Sequence, residues 1–189
     1  MQRLRRFGED AVGDPNGPPL QAERIIETLH RYGVNYVLVG GLAATVHGAS
    51  RVTFDIDVVP EWTVDNRGRL AQALAFLNAG LRVPGQRDAV PFPLDATTFT
   101  KFEVSTWRTD AGDLDVIVGL PTHLHGVLRG YEELRSRSAE SDFDGPIVAI
   151  GSLDDIIESK AALGRPTDLV ALPELLALRA AQHDQLACE

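Results

Sequence analysis

A single cysteine, Cys188, stands beside the C-terminus, so no internal disulfide can staple this fold. Lysine is almost missing. Of 18 basic residues only Lys101 and Lys160 are lysines, and any phosphate contact therefore leans on arginine, whose planar fork suits phosphate oxygens. No run approaches the roughly 18 consecutive apolar residues that a membrane-spanning helix needs. The basic start Met1-Gln2-Arg3-Leu4-Arg5-Arg6 lacks the apolar core and small-residue cleavage site of a secretory signal. These absences lead to the expectation of a soluble, cytoplasmic protein with no membrane partner. Positive charge is scarce too. A net charge of -9 excludes a protein held to nucleic acid by bulk electrostatics, so any such contact must be local.

What is present is ordinary globular material, 44% apolar and 24% charged, in a chain of 189 residues long enough for one core with an extension. Residues 1–19 end in a stretch rich in glycine, proline and acids, and read as a disordered leader outside the fold. Residues 20–120 form the core. Ile25, Ile26 and Leu29 recur at helical spacing, and Tyr36 to Val39 is a short buried strand running into Gly40-Gly41. Leu42 to His47 predicts a short helix closed by Gly48, and Arg51 to Val59 alternates as a strand. Leu70, Leu74 and Leu77 mark a helix expected to end at Gly80. A proline-containing loop spans 82–97, followed by a hairpin turning on Asp110-Ala111-Gly112. Residues 121–189 carry a helix near Tyr131 to Arg137, a second hairpin across Asp144-Gly145-Pro146, and a helical end. There Ser152 and Asp155 resemble a capping box, Pro166 opens the last helix and Pro173 bends or divides it.

Strand alternation puts Val52, Phe54, Ile56 and Val58 on one face, toward the core, and Arg51, Thr53, Asp55 and Asp57 on the other. Carboxylates two residues apart on a strand have Cα atoms about 6.6 Å apart, near enough to converge on one or two hard cations. A solvated strand face shows the same pattern, so context matters. Gly40-Gly41 joins a buried strand to a helix, where the missing Cβ lets backbone N–H groups approach a phosphate. Asp115 lies on a strand between apolar Leu114 and Val116, placed to add a third carboxylate, although Asp113 and Asp115 also fit the exposed side of a hairpin. Lys160 shares a helical face with Leu153, Ile156 and Ile157, either as a snorkelling lysine or as a phosphate contact. Asp168 stands just inside a helix start, which favours an acid in any protein. His47 reads as structural.

Together, Gly40-Gly41, His47-Gly48, Arg51-x-Thr53-x-Asp55-x-Asp57, Asp115, and Lys160 to Asp168 resemble the AbiEii-type nucleotidyltransferase toxins, including the mycobacterial MenT group, within the DNA polymerase β-like superfamily. The resemblance runs from about residue 20 to the end. It implies an α+β fold of the polymerase β-like nucleotidyltransferase kind, a mixed sheet flanked by helices with a helical C-terminal part. It implies Asp55, Asp57 and Asp115 as ligands of Mg2+, with Mn2+ as a substitute. Lys160 and Asp168 join these as catalytic residues, and Gly40, Gly41, Arg51, Thr53, Lys160 and Arg165 as the nucleotide-binding set. Gly41 replaces a serine common in the superfamily, and Thr167 a lysine common before the acid.

The chemistry implied is attack by an acceptor hydroxyl on the α-phosphorus of an NTP, with two cations roughly 3.5 to 4 Å apart stabilising the attacking and leaving oxygens. The toxins that this chain resembles modify the 3′ end of tRNA, often with a pyrimidine nucleotide, and so inhibit translation. Some of Arg67, Arg69, Arg82, Arg87, Arg135 and Arg137 would then form a local acceptor groove, or else are scattered solvated arginines. A cognate antitoxin acting by phosphorylation of Thr53 would add about -1.5 to -2 charge beside the metal ligands. The alternatives are a small-molecule, aminoglycoside-type nucleotidyltransferase and a catalytically silent binding module of the same fold.

Overall fold

The computed structural model describes residues 19–83, 86 and 88–186. The expected leader, apart from its last residue, lies outside them. Helix α1 (Ala22–Arg31) leads into β1 (Tyr36–Val39), α2 (Gly40–Val46), β2 (Asp55–Pro60), α3 (Val64–Phe76) and β3 (Gly80–Leu81). A 3-10 turn (Thr98–Lys101) precedes the hairpin β4 (Val104–Thr109) and β5 (Gly112–Ile117) and the short strands β6 (Leu120–Pro121) and β7 (Leu128–Arg129). Helix α4 (Tyr131–Arg137), β8 (Ala139–Asp142), β9 (Ile147–Ile150), α5 (Leu153–Leu163) and α6 (Pro166–Leu186) complete the chain.

One seven-stranded mixed sheet, in the order β3-β4-β5-β2-β1-β9-β8, organises the molecule. Strand β2 runs parallel to β5 and antiparallel to β1, and β9 pairs parallel with β1. Period-two alternation splits β1 between two apolar clusters. Leu38 packs with Ile56, Val58, Leu114 and Val116 against Ile25, Ile26 and Leu29 of α1 and Leu70 and Leu74 of α3. Val37 and Val39 pack the other way, with Val59, Leu120 and Leu134. Burying such side chains stabilises the fold by roughly 1.5–3 kcal/mol each. No helix among the described residues is long and apolar enough to cross a membrane.

Three expectations need correction. Strand β2 starts at Asp55, not Arg51, and Val52 and Phe54 are exposed instead of entering the core. The residues before it leave the sheet because they are tied elsewhere: the Ser50 amide and hydroxyl both donate to Glu174 of α6, and Thr53 Oγ1 donates to the main-chain oxygen and carboxylate of Asp55. Helix α3 stops at Phe76, with Asn78 adopting φ 52°, and Gly80 already belongs to β3. Pro173 does not divide α6. It sits on an exposed turn, where water can satisfy the carbonyl that loses its donor. The Ser152 cap does form, its hydroxyl oxygen accepting from the Asp155 amide at 3.1 Å.

Candidate active site

Parallel pairing places Asp55 opposite Asp113 and Asp57 opposite Asp115, so four aspartates form a two-by-two block on one face of β2 and β5. Beyond β5, Thr106 of β4 lies opposite Asp115 and Arg108 opposite Asp113. The other faces of β2 and β5, Ile56, Val58, Leu114 and Val116, are core, which is why the strands present their acids on this side alone. Far from decorating an exposed hairpin, Asp113 and Asp115 are buried. Asp113 is held by Arg108, through Nε at 3.1 Å and Nη2 at 3.3 Å, and by Arg82 Nη1 at 3.3 Å.

Among the described residues no guanidinium pairs with Asp115, and its Oδ1 is buried without a hydrogen-bond partner. Burial, and next the charge of Asp55, push its carboxyl up to about 7, against a lowering hydrogen bond from Thr106. Burial also pushes Asp57 well above the usual carboxylate range, reinforced by Asp55 and Asp115, while Lys160 and the Gly41 amide pull it down. A buried orphan oxygen among mutually repelling hard carboxylates fits a divalent cation such as magnesium, which takes oxygen ligands. Among the described residues, however, no three His, Cys, Asp or Glu side chains are gathered onto one point as a metal cage. The three acids are neighbours by register, not a closed ligand set.

A cavity of about 250 Å³ opens over this block. Gly40, Gly41, Arg51, Thr53, Asp55, Asp57, Asp115, Lys160, Arg165 and Asp168 all line it, so the expected metal, catalytic and nucleotide-binding residues reach one cleft. Gly40 is required there. Its φ is +67°, and a Cβ on it would lie 1.8 Å from Asp57 Oδ2. A Cβ on Gly41 would lie 2.6 Å from Thr53 Oγ1, which donates to Asp55 Oδ1 at 2.9 Å.

The opposite wall comes from the helical end of the chain. Asp168, 1% exposed, accepts Lys160 Nζ at 3.2 Å and Arg165 Nε at 2.6 Å, with Arg165 Nη2 at 3.2 Å completing a fork. Burial raises Asp168, but the Arg165 hydrogen bonds and the Lys160 charge outweigh it and hold the carboxyl below its ordinary value. Lys160 therefore does not simply snorkel to solvent. His47 is structural, its Nε2 2.8 Å from the Gly151 carbonyl.

The expected arginine groove does not assemble. Arg67 lies over the Trp62 ring, Arg69 bonds Asn66, Arg135 pairs with Glu140 and Arg137 with Asp155, and none of them lines the cleft. Arg87 is outside the described residues. Of the five that are described, Arg82 stands beside the aspartate block, joined by Arg108, which the sequence reading missed. Its signal was present, since Thr106 and Arg108 alternate with the buried Trp107 just as Asp113 and Asp115 alternate with Leu114.

No family model matches the sequence, and no curated protein matches it either. In structure the chain is similar to the lincosamide antibiotic adenylyltransferase LnuA, solved with lincomycin bound, at 13% identity and a TM-score of 0.55, covering 85% of this chain and 99% of that one. It is similar to a Thermotoga maritima protein assigned as a nucleotidyltransferase, at 14% identity and a TM-score of 0.51, covering 87% and 99%. The fold is that of the nucleotidyltransferases.

Proposed function

We propose that this chain moves a nucleoside monophosphate from an NTP to an acceptor hydroxyl, with Asp55, Asp57 and Asp115 as ligands of Mg2+, for which Mn2+ would substitute. The observation that carries this reading is the register of β2 on β5, which stacks Asp57 beside Asp115 under a cleft walled by Lys160 and Arg165. Bound magnesium would polarise the transferring phosphate and neutralise its charge. The chain's own work is positional. Lys160 and Arg165, steadied by Asp168, present two cations to the triphosphate. Gly40 and Gly41 keep the turn after β1 free of side chains where phosphates approach, and Arg51 and Thr53 line the mouth. The unpartnered Oδ1 of Asp115 is an acceptor for the proton of the attacking hydroxyl.

For the acceptor, the sequence resemblance favours the 3′ end of tRNA, modified with a pyrimidine nucleotide to block translation, which makes the chain the toxin of a toxin–antitoxin pair. In that setting Thr53 is the residue whose phosphorylation by an antitoxin would silence the site, because its hydroxyl already touches Asp55. Intact mass of the protein recovered with its partner tests that step; no added phosphate under inhibiting conditions removes it. A second reading, transfer to a small molecule of aminoglycoside type, draws on the acids of the cleft, where Asp55, Asp57, Asp115 and Glu174 would attract a polycationic amino sugar.

Incubation with magnesium, each labelled NTP in turn, and either total tRNA or an antibiotic panel separates the readings, beside Asp55→Ala and Asp57→Ala controls. Label on tRNA supports the toxin, and label on an antibiotic the second reading. A biological effect that survives Asp55→Ala without any labelling points to a silent binding module.

A further inference from the structure

Beyond β4 the row of facing residues continues. The Arg82 amide donates to the Thr106 carbonyl at 2.8 Å, and the pairing of β3 with β4 puts Arg82 opposite Thr106, which is itself opposite Asp115. Arg82, Thr106, Asp115 and Asp57 thus lie side by side across four chain segments and share the site face of the sheet. Strand neighbours are about 4.8 Å apart, so Arg82 is two steps, about 10 Å, from Asp115 at the backbone, a gap its long side chain can narrow. The guanidinium leans onto Asp113, one residue pair along, and Arg108 of β4 grips the same carboxylate. Asp113 is buried, whereas the Arg82 side chain keeps 26% of its surface open. A buried acid fixes an arginine that solvent, or a ligand, can still reach.

The place of this arginine gives it meaning. Lys160 and Arg165 stand on the helical wall of the cleft. Arg82 stands on the β4 side of the aspartates and does not line that cleft. The two cationic groups therefore flank the aspartate block from different elements. With the triphosphate on the helical side, as proposed above, Arg82 faces whatever brings the hydroxyl.

We propose that Arg82, fixed by Asp113 together with Arg108, binds a backbone phosphate of a polynucleotide acceptor whose terminal 3′ hydroxyl reaches Asp115. This rests on the nucleotidyltransferase reading and specifies its acceptor as an anion. The geometry suits a nucleotide chain, in which a phosphate lies one sugar away from the terminal hydroxyl. A cationic aminoglycoside would be repelled at the same point. The neighbouring acids explain why the contact is local: the protein is net negative, and an arginine fixed in this way guides one phosphate past like charge.

The test uses the full chain and a fluorescent single-stranded RNA oligonucleotide with a free 3′ hydroxyl, its anisotropy followed over a salt series, beside binding of a labelled NTP with magnesium. Arg82→Gln is expected to weaken RNA binding about tenfold and to reduce the salt slope by about 0.7, one phosphate contact on a single strand. NTP binding should be unchanged. Arg82→Lys should keep the slope and regain part of the affinity, and thermal unfolding identifies a variant that merely fails to fold. RNA affinity and slope equal to wild type in Arg82→Gln, equal losses of RNA and NTP binding, or wild-type protein that holds NTP but no RNA each overturn the assignment of Arg82 while leaving the nucleotide site standing. Wild-type protein that holds no NTP removes the enzyme reading, and this inference with it.

Discussion

Asp57 and Asp115 are direct partners across the parallel pair β2–β5, and the charge of Asp115 adds to the burial and the Asp55 charge that make Asp57 costly to ionise. Parallel neighbours on one face cannot turn away from one another without breaking the pleat, so the sheet itself holds like charges together. Carboxylates held together in this way repel one another, and a bound cation would relieve that repulsion.

Asp115 is pushed up to about 7 in the folded chain against about 3.9 unfolded, so its contribution to stability is fully present below about pH 4 and is lost as pH rises through 7. Without divalent cation, thermal unfolding should move to lower temperature between pH 4.5 and 7.5. Asp115→Asn should flatten that dependence and raise stability at pH 7.5. An unchanged slope in the variant would contradict the assignment.

Gly40→Ala should destabilise the chain by about 1–3 kcal/mol through the left-handed backbone alone. It should also cost activity beyond that loss, because the added methyl collides with the Asp57 carboxylate. Denaturant melts and transfer rates measured on the same preparation separate the two. Gly68, where a Cβ meets nothing within 4 Å, is the matched control inside α3.

Asp168→Ala should destabilise by about 2–3 kcal/mol, toward the lower end for a broken buried pair because Lys160 and Arg165 are partly solvated. The carboxyl of Asp168 is held low, so its stabilising effect is present above about pH 4 and is lost as pH falls further, the opposite sign to Asp115. Lys160→Gln should instead raise the KM for NTP with a smaller change in stability. Chemical denaturation and steady-state kinetics read the two effects.

Much of this was legible in the sequence because it depended on local periodicity. The Asp55-x-Asp57 and Asp113-x-Asp115 spacings set which face each acid takes, and Gly40, expected at the strand-to-helix junction, has positive φ there. The start of β2 was not legible. Residues 51–54 alternate as a strand does, but the Ser50–Glu174 contact, across 124 positions of sequence, and the Thr53–Asp55 hydrogen bonds draw them out of the sheet. Nor was the fate of the arginines. Whether Arg82 or Arg135 faces the site depends on the β3–β4 register and on the Arg135–Glu140 pair, and no local pattern carries either.

The central claim, that Asp55, Asp57 and Asp115 make a metal-dependent nucleotide site, is tested most directly by calorimetric titration of NTP into wild-type protein and Asp57→Asn, each with magnesium and with chelator. The expected result is NTP binding that requires magnesium in the wild type and is weakened at least tenfold in the variant. Equal NTP affinity with and without magnesium, or in the variant and the wild type, would contradict it.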